Sequence, residues 1–250
     1  MNIEQYLQRI NIHRIEKPSY TYLATLQYQH LLAVPFDNLD ISEGRKIILD
    51  EHHIYEKIVV SRRGGFCYEL NGLFYWLLRQ LKFSTHMVSA RVYEEANNDF
   101  GPEFDHMVLL VRLDKTYLAD VGFGDSFRYP MAIPDGQAED VSGRYRIHKA
   151  GNRDEYLIQK LERDNWRPKY SFTTYPRKIA DFTEMCIFQQ TSPESHFNQG
   201  PFATVATERG RVKLSRDFLT ITEGRETRKT PVISPQQFGK LLHEHFNVKL

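Results

Sequence analysis

Ser61-Arg62-Arg63-Gly64-Gly65-Phe66-Cys67-Tyr68-Glu69-Leu70-Asn71-Gly72 is the stretch from which the rest of the chain is read. Its two consecutive glycines permit a tight backbone just ahead of the helix-spaced apolar run LNGLFYWLLRQL. A helix beginning near Phe66 puts the Cys67 sulfur in its first turn, beside unpaired amides and the positive end of the helix dipole. Both favour thiolate over thiol, the form a nucleophile requires, and the same amides suit an oxyanion formed when the thiolate attacks a carbonyl. A free cysteine is also often just a small buried hydrophobe. Cys186, within Glu184-Met185-Cys186-Ile187-Phe188, fits that plainer description.

A thiolate nucleophile needs a histidine within hydrogen-bond reach, and the histidine needs a third group to orient it. Of the ten histidines, His52, His53, His243 and His245 sit among polar neighbours. His106 instead opens the strongly apolar strand His106-Met107-Val108-Leu109-Leu110-Val111. The next strand, Thr116 to Val121, carries Asp120 behind an apolar stretch and ahead of Gly122-Phe123-Gly124. Burying a lone carboxylate is expensive, so Asp120 requires a partner, and His106 on the neighbouring strand of a hairpin supplies one. The plainer alternatives are a surface histidine at a strand end and an aspartate that starts a glycine turn. Taken with Cys67, the two describe nucleophile, base and orienter in the chain order Cys, His, Asp.

The surrounding chain is organised in three blocks of an α+β protein. Residues 1–85 are mainly helical, with an amphipathic start at Ile3, Tyr6, Leu7 and Ile10 and a helix over Tyr20 to Ala33 closed by Pro35. Residues 86–195 hold consecutive β-rich runs unbroken by helices, which predicts an antiparallel sheet or small barrel. A return to helical spacing follows Pro176. Residues 196–250 offer short strands and a last helix opened by Ser234 and Pro235. The 250 residues carry 33 Lys+Arg against 32 Asp+Glu, a balance that leaves no electrostatic footprint for nucleic acid or an anionic membrane. Two cysteines make neither a disulfide framework nor a multi-cysteine metal site and point to a reducing, cytoplasmic setting, with no metal expected. Met107 to Val111, the longest clean apolar run, falls far short of the ~20 residues of a membrane span.

These motifs together resemble the arylamine N-acetyltransferase family, nearly end to end. Its cysteine segment stands here as Arg63-Gly64-Gly65-Phe66-Cys67-Tyr68-Glu69-Leu70-Asn71, its histidine strand as His106 to Val111, and its aspartate segment as Asp120-Val121-Gly122-Phe123-Gly124. An amino-terminal signature matches Pro35-Phe36-Asp37-Asn38-Leu39, and a downstream one Thr191-Ser192-Pro193-Glu194-Ser195-His196-Phe197. The resemblance implies a cysteine-protease-like core: helical bundle, antiparallel β-barrel and C-terminal α/β lid, with the triad between the first two. It also implies acetyl transfer from acetyl-CoA, as cosubstrate, to an arylamine, a hydrazine or an arylhydroxylamine oxygen. Phe36, Val92 and Phe123 are then the acceptor-pocket candidates, with core packing as the alternative for each. Gly124, Phe202, Thr204 and Ser215 are the CoA candidates. Arg209, Arg211 and Lys213 suit either phosphates or a solvated face. The family usually has glutamate where this chain has Asp37, and its pairing with Arg63 is the implied role; a cap on the turn after Pro35 is the alternative. A cysteine hydrolase or transglutaminase-like enzyme shares the triad order, and a non-catalytic binding protein on the same fold is the second rival. Monomer and homodimer both stay open.

Overall fold

The computed structural model describes residues 1–150 and 154–249 and gathers them around three apolar clusters. The first is built by α1 (Ile3–Arg9), α2 (Tyr20–Ala33) and α5 (Cys67–Gln80), with the two-residue strand β1 (Phe36–Asp37) and the short helices α3 (Leu39–Ser42) and α4 (Glu51–Tyr55) between them. A π-helical turn, Glu56–Val60, continues α4. Ser19 starts α2 by accepting the Tyr22 N–H at 3.2 Å, which satisfies one of the helix's unpaired amides. Leu70, Leu73, Phe74, Leu77 and Leu78 of α5 are all fully buried in this cluster.

The period then changes from helical to alternating. Strands β2 (Ser84–Glu94), β3 (Asp99–Phe100), β4 (His106–Arg112), β5 (Thr116–Ala119), β6 (Met131–Ala132), β7 (Gln137–Asp140), β8 (Gly143–Lys149), β9 (Glu155–Glu162) and β10 (Asn165–Thr173) form one antiparallel sheet. Its order is β6-β5-β4-β2-β10-β9-β8-β7, with β3 beside β2. Gly136 joins the two ends: its N–H reaches the Ala132 carbonyl at 2.7 Å and its own carbonyl accepts from Ile147 at 2.8 Å, so the sheet is nearly closed. β4 explains its own sequence. Val108 and Leu110 point into the barrel, while Met107, Leu109 and Val111 pack on the helical cluster. A strand buried on both faces reads as an unbroken apolar run.

The chain returns to the helices through a 3-10 turn at Ile179–Phe182 and α6 (Thr183–Thr191), whose Cys186 is core, as its context predicted. The remainder is a five-stranded antiparallel sheet in the order β1-β11-β12-β13-β14, formed by β11 (Phe202–Thr207), β12 (Gly210–Ser215), β13 (Phe218–Glu223) and β14 (Glu226–Pro231). Against it lies α7 (Pro235–Phe246), opened by Ser234 accepting the Gln237 N–H at 3.1 Å. β14 was not visible in the sequence: Glu-Thr-Arg-Lys-Thr-Pro is exposed throughout and has no apolar face to alternate. Among the described residues no helix is long and apolar enough to cross a membrane.

One buried side chain on α2 makes stability pH-dependent. His30 is fully buried, with Tyr6 and Phe74 rings 6.0 and 5.5 Å away and neither ring nitrogen hydrogen-bonded. Burial, reinforced by Arg9, lowers its pKa to about 3. The unfolded chain therefore binds the proton more readily than the folded one: the contribution is intact above the unfolded pKa of about 6.5 and is lost as pH falls from there toward 3. A His30→Gln variant is expected to show a flatter plot of Tm against pH over that window than the parent; equal slopes would mean that other groups carry the acid sensitivity.

Candidate active site

Cys67 is the first residue of α5, and the segment before it is held from both sides. Gly65 and Asp37 pair through backbone, Asp37 N–H to the Gly65 carbonyl at 2.9 Å and Gly65 N–H to the Pro35 carbonyl at 3.3 Å. Glu69 reaches back to accept the Phe66 N–H at 3.2 Å, fixing the helix start. Lys57, from the π-helical turn, bridges Glu69 and Asp40 at 2.7 Å each, and Arg63 pairs with Asp40 at 2.6 Å. The pairing of Arg63 with Asp37 implied by the resemblance is therefore corrected: Asp40 is the partner. Asp37 instead accepts the Leu39 N–H at 3.1 Å, the turn cap, and burial raises its carboxyl to about 6. Burial alone would lower the Lys57 pKa, but the carboxylates of Glu69, Asp37 and Asp40 outweigh it and raise it.

His106 opens β4 and Asp120 follows β5 directly, so the hairpin brings them together as expected. His106 Nε2 meets Asp120 Oδ2 at 2.9 Å, with the two residues 2% and 1% exposed. Oδ2 also accepts from the Tyr170 hydroxyl at 3.1 Å, and Oδ1 accepts from Asn71 Nδ2 and the Gly122 N–H, both at 2.9 Å. Burial would raise the Asp120 pKa, but the charge and hydrogen bond of His106, with the Asn71 and Gly122 donors, hold it below the usual carboxylate value. Asn71 also donates to the Met107 carbonyl at 2.7 Å and accepts the Val121 N–H at 2.9 Å, locking α5 to both strands of the hairpin. Gly122 has a reason to be glycine: a Cβ there would lie 2.9 Å from the Cys67 Cα and 2.7 Å from Asn71 Nδ2.

Cys67 and His106 line one cavity of about 320 Å³. Phe36, Val92 and Phe123 line it as well, as do Gly124, Phe202 and Thr204. Ser215 lies away from it, at the β12–β13 turn, where its hydroxyl exchanges hydrogen bonds with the Phe218 backbone at 3.2 Å. Arg211 and Lys213 reach the cavity, whereas Arg209 is exposed and pairs with Glu223 at 3.8 Å. The thiol lies deeper than a helix start in sequence reveals. Burial, with Asp105 and Cys186 adding to it, pushes Cys67 well above its usual range, and the Tyr68 N–H at the helix start only partly opposes this. Burial thus works against the dipole and amides of the helix start, while a base beside the sulfur that takes its proton works with them. Tyr170, Gln27 (which accepts the Asp120 N–H at 3.2 Å) and Asp105 escaped the sequence reading. They come from distant elements, or from a position with no periodic signal. Among the described residues no group of three or more His, Cys, Asp and Glu is arranged to hold a metal.

Comparison with known proteins gives a consistent picture. An N-acetyltransferase family model matches residues 20–250. The arylamine N-acetyltransferase pineal gland isozyme NAT-10 of Gallus gallus is 30% identical over 100% of this chain and 95% of its own length. Arylamine N-acetyltransferase 2 of Mus musculus is 32% identical over 88% of this chain and 83% of its own. Among solved structures, the Bacillus cereus arylamine N-acetyltransferase (BACCR)NAT3, described as having a Cys-His-Glu catalytic triad, superposes with a TM-score of 0.92 at 28% identity over 100% of both chains. The Mycobacterium marinum enzyme in complex with CoA superposes with a TM-score of 0.90 at 30% identity, covering 98% of this chain and 92% of that one.

Two substitutions test the frame. Tyr170→Phe keeps the ring and deletes one donor to a buried carboxylate, so stability should fall by about 1.5–3 kcal/mol in a urea melt. Asp40→Asn breaks two nearly buried ion pairs and should cost about 3–5 kcal/mol, read by calorimetry, together with slower alkylation of Cys67.

Proposed function

The chain belongs to the arylamine N-acetyltransferase family, and on that premise we propose that it acetylates aromatic amines and hydrazines, and the oxygen of arylhydroxylamines, through an acetyl-Cys67 intermediate. The observation that carries this reading is the His106–Asp120 pair at 2.9 Å on the same cavity as Cys67. With Nε2 held by Asp120, Nδ1 is the ring nitrogen left to take the thiol proton. Moving that proton inside the pair leaves the buried site with no added net charge, and Asp120 stabilises the imidazolium. Cys67 and His106 then stand as a thiolate–imidazolium pair, and the thiolate is the nucleophile.

Cys67 attacks the thioester carbonyl of acetyl-CoA, and the first-turn amides of α5 face the oxyanion that develops. The C–S bond to CoA breaks, His106 returns its proton to the departing thiolate, and the acetyl group stays on Cys67. An amine then attacks the same carbonyl, His106 accepts its proton, and the Cys67 thiol re-forms as the acetamide leaves. The order is ping-pong. Phe36, Val92 and Phe123 offer apolar walls for a flat ring. Gly124, Phe202 and Thr204, with Arg211 and Lys213, form the side we assign to CoA, the cations meeting its phosphates. Two unpaired thiols favour the cytoplasm as the working compartment.

Brief exposure to acetyl-CoA alone should add one acetyl group, located at Cys67 by peptide mass analysis, and Cys67→Ala should abolish acetyl transfer while retaining the parent Tm. An active preparation without the adduct, or turnover surviving Cys67→Ala, overturns the mechanism.

A further inference from the structure

The cavity beside Cys67 contains two carboxylates in unlike circumstances. Asp125 is already matched by cations, Arg211 at 3.3 Å and Lys160 at 3.6 Å. Asp105 lines the same cavity directly before His106, and among the described residues no basic side chain forms an ion pair with it. Its Oδ1 accepts from Gln189 Nε2 at 2.7 Å. Gln189 is fixed in turn: its Oε1 accepts from the Ser195 hydroxyl at 2.5 Å and its backbone carbonyl from Asn198 Nδ2 at 3.1 Å. The Asp105 backbone carbonyl accepts from the hydroxyl of Tyr68, the residue after Cys67, at 3.3 Å. The carboxylate is therefore held in place by α6 and the loop after it, with a neutral donor on one oxygen and no cation on either.

A carboxylate in a partly dry cavity with no cation in direct contact, and whose one charged neighbour, His106, is already paired with Asp120, is costly, and a ligand carrying a positive charge relieves that cost. Burial, with the negative charge of Glu94 added, raises the Asp105 carboxyl, although the neighbouring His106 and the hydrogen bonds from the Val92 backbone and Gln189 oppose the rise. We propose that Asp105 is a specificity-determining residue of the acceptor site, favouring aromatic amines whose ring also bears a cationic group over those whose ring bears a carboxylate. The preference arises because the ring packs against Phe36, Val92 and Phe123 while its charged substituent meets Asp105; a second carboxylate there is repelled.

Since this rests on the acetyl-transfer reading, three anilines are compared as acceptors with acetyl-CoA at about pH 8, above the carboxyl range. They carry a ring aminomethyl, methyl or carboxylate group, in meta and para forms, and loss of the aromatic amine is followed. In the full chain kcat/KM for the cationic aniline should exceed that for the anionic one by about tenfold or more, with the neutral one between. Asp105→Asn should collapse most of that ratio, chiefly through KM, and Asp105→Glu should restore it. Should Asp105→Asn not fold, Asp105→Ser takes its place and should collapse the ratio in the same way. A ratio near one with the neutral aniline turned over, or a ratio that the neutral variant leaves intact, overturns the role of Asp105 alone. No transfer to any of the three, with no acetyl adduct on Cys67, overturns the acetyl-transfer reading and this inference with it.

Discussion

The carboxylate of Asp120 is buried, and everything around it is arranged to keep it charged there. A buried carboxylate demands donors on both oxygens. Here they arrive from His106 on β4, Asn71 on α5, Tyr170 on β10 and the Gly122 amide of its own turn. Those groups belong to three elements that are far apart in sequence, so satisfying one charge fixes the helix, the hairpin and the far barrel strand relative to one another. Asn71 tightens this further by spending both ends of its amide on the same hairpin. The geometry that orients His106 is thus the geometry that joins the helical cluster to the barrel.

The C-terminal sheet is tied to the same place by very few residues. β1 pairs with β11 on one side, Phe36 opposite Thr204, and with Gly65 on the other. Asn38 donates to the Phe197 and Gly200 carbonyls at 2.7 and 2.8 Å and accepts the Phe202 N–H at 2.8 Å. The Pro35–Leu39 and Thr191–Phe197 segments, separate signatures in the sequence, prove to be two halves of one junction. That junction brings Phe36, Phe197 and Phe202 to the cavity wall.

Local chemistry made much of this legible. Ser234 announced the start of α7, the apolar run from Met107 to Val111 announced a strand, and Gly-Gly ahead of an apolar helix announced where Cys67 sits. What stayed hidden depends on long-range pairing. Nothing near Tyr170 says that its hydroxyl meets Asp120, fifty positions away. Asp40 lies in a four-residue helix too short to show a period, and the resemblance pointed Arg63 to the signature residue Asp37 instead. The depth of the thiol was hidden for a different reason: sequence reveals a helix terminus, but not how deeply it is buried.

The exposed strand β14 has a consequence for the protein at high concentration. Its neighbours leave the outer row of amides and carbonyls of the five-stranded sheet open along Glu226 to Pro231. An open edge is a template on which another molecule's strand can extend the sheet. This one presents Glu226, Arg228 and Lys229, ends in a proline that has no N–H to donate, and exposes no large apolar side chain. The featureless composition that leaves the strand without a readable period is also what makes it a poor template for fibrillar growth.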